Sequence, residues 1–249
     1  NTADTYISLL TTLKDPRVFI AANPAKKKLT QGVAPTDFAA YVGASSGESL
    51  DNMSSKAGTG EYSFTNQKRY YGSLTGPEPA VQLGYPEQCF NIAEAINRGW
   101  VAGNASEYYY KGIRASMEFY KITDGSIIEI TDQDTDATLG TVTANVTAYL
   151  LQPAVIYAGN TAAGLKQILE QKYLALFQQS GQEDYFNYRR TGVPTFQVGP
   201  GTGNNGVIPK RWLYPVSEKV NNASNYESAV SAQFGSDGDN LNSDLWIVK

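Results

Sequence analysis

The chain has 249 residues, with 20 basic and 24 acidic side chains, a net charge of −4 and no histidine. It contains no apolar run of the roughly 18 residues that a membrane-spanning helix needs, and its balanced charge lacks the basic stripe of a nucleic-acid binder. Without imidazole, the Ser-His-Asp and Cys-His nucleophilic systems, His-ligated zinc and the usual general base near neutral pH are all excluded.

The length suits one continuous, mainly α-helical body with a sizeable core. The N-terminal NTADTYISLL has no charged n-region or cleavage site, so no export signal is expected in it. A first helix is predicted from Asp4 to Lys14, ending ahead of Pro16 because the residue before proline is driven out of the helical region. Residues 21–84 read as a long irregular stretch rich in Gly, Ser, Thr, Asn and Pro, which in a compact domain is usually functional or disordered. A helical hairpin follows from Tyr85 to Tyr120. Cys89, Ile92, Ala93, Ile96 and Trp100 fall three and four apart on its first helix, so all of them, Trp100 included, are predicted core residues. Tyr109, Ile113, Ser116 and Tyr120 repeat the pattern on the second helix, which Asn104 or Ser106 can cap. Gly112, Ala115 and Ser116 allow close approach of the partner helix. The Ala115-x-x-x-Phe119 spacing matches part of the tetratricopeptide pattern.

Beyond the hairpin, SIIEIT at 126–131 reads as a short strand or buried turn, and a helix is predicted from Thr141 to Leu151. A long helix opens near Thr161 with Leu165, Ile168, Leu169, Tyr173, Leu176 and Phe177 on one face, and Gly181 breaks it. A second helical piece runs from Gln182 to Arg190, with Gly192 in the left-handed cap position and Pro194 blocking continuation. VGPGTGNNGVIP is a loop, and Ser224 is placed to cap a final helix reaching about Phe234.

Several motifs invite chemistry and have plainer readings. Gly201-x-Gly203-x-x-Gly206 fits a dinucleotide fingerprint only as a string, since Val207, Ile208 and Pro209 follow where a helix must begin. Asp132, Asp134 and Asp136 alternate like the start of a calcium loop, but Ala137 and Thr143 stand where glycine and glutamate are required, which favours a solvated acidic turn. Asp237, Asp239 and Asn240 form a similar weak oxygen cluster. Adjacent Glu183 and Asp184 point about 100° apart on a helix and cannot flank one bond. Glu87 and Glu94 can share a face, with surface charge and a helix-to-loop hydrogen bond as their plain readings. Arg189 and Arg190 suit a helix's last turn, where cations complement the macrodipole, better than ligand contact. Lone Cys89 is expected to be a small buried hydrophobe. No metal and no cofactor are expected.

Tyrosine is the unusual residue: 17 Tyr stand against 9 Phe, and a tyrosine ring offers an apolar face with a polar tip. In EYSFTNQKRYYG, Tyr62, Phe64, Tyr70 and Tyr71 are interleaved with Asn66, Gln67, Lys68 and Arg69. Such rings can stack on the C–H faces of a sugar while amide and basic groups bond its hydroxyls. Tyr62, Phe64, Asn66, Arg69, Tyr70 and Tyr71 are therefore the candidate ligand-binding residues. Packing of the rings against the helical body is the competing reading, whereas the helix tyrosines Tyr109 and Tyr173 are expected to be core.

AEA at Ala93–Ala95, Arg98-Gly99-Trp100 and the GIRASMEFY run resemble the signature helices of the SusD/RagB nutrient-binding outer-membrane lipoproteins. Further blocks occur in that family's order: Asp15-Pro16-Arg17; QKYLALF followed by Glu183 and YRRTGVP; Ile208-Pro209-x-Arg211-x-x-Tyr214-Pro215-x-x-Glu218; and Asp239-Asn240 leading to Leu245-Trp246. Ile247 departs from the pattern, where the family shows a second tryptophan. The resemblance implies a SusD-like α–α superhelix with long irregular loops, and that residues 1–249 are the C-terminal part of one SusD-like domain with no separate second domain. It also implies non-catalytic binding of an oligosaccharide, or of a peptide nutrient, at the external face of a bacterial outer membrane. The expected partner is a SusC-like TonB-dependent transporter, and the lipid anchor would lie outside this chain. A helical protein-interaction scaffold without a small ligand, and a carboxylate-based glycoside hydrolase, are the alternatives.

Overall fold

In the computed structural model, which describes residues 1–72, 78–179 and 181–248, helix dominates, and among those residues the only sheet is one two-stranded hairpin. The helices are α1 (Asp4–Thr12), α2 (Val18–Ala21), α3 (Lys26–Thr30), α4 (Leu50–Gly58), α5 (Gln67–Tyr71), α6 (Tyr85–Asn97), α7 (Ala105–Phe119), α8 (Val146–Leu150), α9 (Ala162–Ala175), α10 (Glu183–Thr191), α11 (Val216–Asn221) and α12 (Ala223–Phe234). Strands β1 (Ile127–Thr131) and β2 (Thr138–Thr143) pair antiparallel between α7 and α8, with an irregularity in register after Ile130.

The α6–α7 hairpin forms as its local rules require, and α9 packs against both helices. Asn104 caps α7 by accepting from the Glu107 amide at 3.4 Å, and Thr161 caps α9 by accepting from Gly164 at 3.1 Å. The buried face of α6 carries Cys89, Phe90, Ala93 and Ile96, and that of α7 carries Tyr109, Ile113, Ser116 and Met117. Burying side chains such as Phe90 and Ile113 stabilises the fold by about 1.5–3 kcal/mol each. Gly112 sets the spacing of the pair, since a Cβ there would lie 2.7 Å from the Phe90 ring. Cys89 is buried as expected, and burial pushes its thiol pKa up. Tyr109 is core, whereas Tyr173 is only half-buried.

Trp100 is not core. Its side chain is 66% exposed, because α6 ends at Asn97 and Gly99 turns the chain with φ +74°, so the helical repeat does not reach the indole. The Arg98 guanidinium lies 5.3 Å from its ring centre. Residues 141–151 likewise do not form one helix: Thr141–Thr143 belong to β2, and α8 starts only after Asn145 caps it by accepting from Ala148 at 2.7 Å. The stretch 21–84 contains α3 and α5, too short to show a clear apolar repeat, and α4, none of whose residues is buried. At the C-terminus Ser224 lies inside α12, which follows Asn222 directly after the unpredicted α11.

A buried polar network is set within the apolar core. Arg17 and Asp15 are fully buried, and the guanidinium grips the carboxylate twice, at 2.6 Å and 3.0 Å. Its remaining N–H groups donate to Ser116 of α7 at 2.9 Å and to Gln171 of α9 at 2.7 Å. Gln171 in turn donates to the Tyr149 hydroxyl of α8 at 2.9 Å. Burial alone would lower the Arg17 pKa, but the Asp15 carboxylate raises it overall, so the guanidinium stays charged. One ion pair thus fixes the α1–α2 turn against three other helices.

A second clasp joins α6 to α10. Glu94 is buried, correcting its reading as a surface or loop-bonding charge, and it accepts from Arg98 at 2.7 Å and from Arg190 at 2.9 Å. Arg190 therefore serves a carboxylate of another helix rather than the macrodipole of its own. Glu87, one face-repeat earlier, is also buried, 3.7 Å from the buried Lys172 ammonium, which also reaches Glu183 at 3.0 Å.

Candidate functional site

Residues 61–72 are strapped to the helical body by main-chain bonds. Ser63 N–H donates to Val42 at 2.7 Å, and Asn66 N–H to Ala21 at 3.0 Å, while the Phe64 carbonyl accepts from Asn23 at 2.9 Å. Buried Asn23 completes the attachment, donating to the Thr131 carbonyl at 2.8 Å and accepting from the Gln67 amide at 3.0 Å. Asn66 then caps α5 by accepting from Arg69 N–H at 3.0 Å. The segment is thereby fixed beside the β1–β2 hairpin.

This anchoring divides the six candidate residues. Tyr62 is buried and donates its hydroxyl to Glu48, which also pairs with Lys56. Burial, then the Glu48 hydrogen bond, pushes its phenol pKa up. Tyr70 packs edge-on against Phe177 with ring centres 6.0 Å apart, and burial strongly raises its pKa. Arg69 sits 4.9 Å over the Tyr120 ring and pairs with Glu78. Asn66 and Arg69 line a cavity of about 310 Å³ shared with Lys68, Tyr120, Glu129 and Thr131.

Phe64 and Tyr71 come together elsewhere. They line a cavity of about 400 Å³ with Asn1, Thr65, Gln67, Gln133 and Asp134, and Tyr71 is 63% exposed. Two aromatic rings, three primary amides, a threonine hydroxyl and a carboxylate converge there, a set able to stack on apolar faces and to exchange hydrogen bonds in both directions. Gln133 and Asp134 come from the β1–β2 turn, far away in sequence. Their part in this cavity is not read from the sequence, which gives Thr141–Thr143, the second half of β2, to a helix and so hides the hairpin that carries them forward.

The acidic turn has other work. Asp132 accepts from the amides of Asp134 and Thr135 at 3.0 Å and from the Thr135 hydroxyl at 2.9 Å. Burial opposes ionisation, but these bonds hold its pKa below the usual value. Asp134 pairs with Lys26, and Asp136 has φ +56°. Among the described residues no group of three His, Cys, Asp or Glu side chains is arranged to hold a metal ion. The glycine string at 201–206 forms two 3-10 turns pressed onto residues 47–49, where a Cβ on Gly201 would overlap the Glu48 carbonyl. No helix N-terminus follows to receive a pyrophosphate.

A scaffold of tetratricopeptide-like helical hairpins, with aromatic and amide-lined cavities between its loops, is the class of protein these features define. A family model described as "Starch-binding associating with outer membrane" matches residues 1–215. A SusD homolog from Bacteroides fragilis NCTC 9343 is 35% identical with a TM-score of 0.83, over 99% of this chain and 52% of its own. Another SusD homolog from the same strain is 32% identical, with a TM-score of 0.75 over 99% and 51%. An outer membrane protein of Bacteroides vulgatus ATCC 8482, linked by its description to nutrient binding, is 32% identical, with a TM-score of 0.79 over 99% and 51%. The chain belongs to the SusD-like family, and it spans about half the length of these solved relatives. No curated protein matches it. Among the described residues no helix is long and apolar enough to cross a membrane.

Proposed function

We propose that residues 1–249 form the C-terminal part of a SusD-like domain that binds an oligosaccharide nutrient at the outer face of the outer membrane and passes it, chemically unchanged, to a SusC-like TonB-dependent transporter. The observation that carries the binding role is the Phe64–Tyr71 cavity, where rings and amides meet at an open surface. Family membership supports the location and the transporter partner. Glycan-array screening followed by titration calorimetry tests the reading. Losing one stacked ring removes roughly 1 kcal/mol, so Tyr71→Ala should weaken the selected glycan about fivefold without lowering the melting temperature. Unchanged affinity in that variant would move the site elsewhere, and turnover of the bound glycan would refute the non-catalytic role.

A protein-interaction scaffold is the second reading, favoured by the exposed Leu213, Val216 and Val220 at and around α11. An array without binders, together with a partner protein lost on Val216→Asp, would favour it.

A further inference from the structure

A cavity with no lining residue in common with the Phe64–Tyr71 cavity has a different chemistry. It measures about 470 Å³ and is lined by Tyr188 and Arg189 of α10 and by Gly206–Lys210, with Val198 and Asp244 at its sides. One wall is α10, which Gly192 ends at φ +72°. The opposite wall is fixed by the C-terminal segment: the amides of Lys210 and Arg211 donate to the Leu241 carbonyl at 2.8 and 3.2 Å, and Lys210 pairs with Asp244 at 2.8 Å.

Arg189 stands out among the arginines. Arg17, Arg69, Arg98, Arg190 and Arg211 each hold a carboxylate. Arg114 and Arg189 have no such partner among the described residues, and of these two only Arg189 lines a cavity. Its guanidinium lies 5.4 Å from the centre of the Tyr185 ring. Tyr185 ties the local unit together, donating its hydroxyl to the Pro209 carbonyl of the far wall at 2.6 Å and packing 6.2 Å from the ring of Trp212, which is 65% exposed. A planar cation with an unused donor fork is suited to a carboxylate, and an exposed indole beside it is suited to a sugar face.

We propose that this cavity is a second ligand site, separate from the Phe64–Tyr71 cavity, that takes an acidic oligosaccharide by bonding the carboxylate of a uronic acid residue to Arg189, with Trp212 stacking on a neighbouring sugar. The proposal does not depend on the first cavity being a glycan site. Titration calorimetry of the full chain should use short oligomers of galacturonate, of mannuronate and of a glucuronate-containing glycosaminoglycan, each beside its carboxyl-reduced form. At least one acid oligomer should bind, with its reduced form at least tenfold weaker. Arg189→Gln should weaken it tenfold or more, and Tyr71→Ala should leave it unchanged. If Arg189→Gln lowers the melting temperature, Arg189→Lys gives the deciding value: it keeps the charge but loses the fork, and should weaken binding several-fold in a protein of unchanged stability. The proposal is overturned if none of the three acids binds, if acid and reduced forms bind equally, if neither Arg189 variant changes affinity, if Tyr71→Ala removes binding, or if a triglutamate peptide binds as tightly as the best uronate.

Discussion

Asp15→Asn removes the charge that faces Arg17 while conserving side-chain size. The guanidinium would remain fully buried with hydrogen bonds to Ser116 and Gln171, but with no anion to balance it. Breaking a buried pair by neutralising one partner costs about 3–5 kcal/mol, a large part of the roughly 5–15 kcal/mol that holds a domain folded. For a chain of this size each kcal/mol moves the melting temperature by about 2–4 °C, so the expected fall is about 6–20 °C. Calorimetric melting and urea unfolding measure it directly. Replacing both partners by apolar residues of similar volume, Asp15→Leu with Arg17→Met, should recover much of the loss, because no charge is then left buried. A fall below about 2 °C in Asp15→Asn, or a double variant worse than the sum of the singles, would refute the view that an uncompensated charge sets the cost.

Two further outcomes follow from α6 and the turn after it. The bonds from Arg190 and Arg98 hold the Glu94 carboxyl below its usual pKa even though burial pushes it up; a folded pKa below the unfolded one gives stability that is present above about pH 4.5 and lost as pH falls through the lower folded value. The gap in stability between wild type and Glu94→Gln should therefore narrow as urea unfolding is repeated from pH 7 down to pH 3, and a gap independent of pH would contradict it. Trp100→Ala should cost less than about 1 kcal/mol, the scale of an exposed cation–π contact; a loss of about 3 kcal/mol or more by denaturant unfolding would mean the indole is core after all.

The elements that rest on local rules are legible in the chain alone. The α6–α7 hairpin, α1, α9 and α10 follow from apolar spacing, from caps such as Asn104 and Thr161, and from stops such as Pro16 and Gly192, all of which act within a few residues. The same spacing misplaced Trp100, because periodicity does not register where a helix has already ended. Short elements such as α3, α5 and α11 were illegible, since a helix of a few residues is fixed by its packing more than by its own pattern. The candidate site divides in the same way. The aromatic and amide composition of residues 62–71 was visible in the chain, but which rings remain open was not: Tyr62 is claimed by Glu48 and Tyr70 by Phe177, while Phe64 and Tyr71 are met by Gln133 and Asp134 from a distant turn. Likewise Arg17 reaches Ser116 and Gln171 across separations of 99 and 154 residues. Partners that far apart leave no mark on local sequence, so only the tertiary structure could decide which polar groups are consumed in holding the fold and which are left facing a cavity.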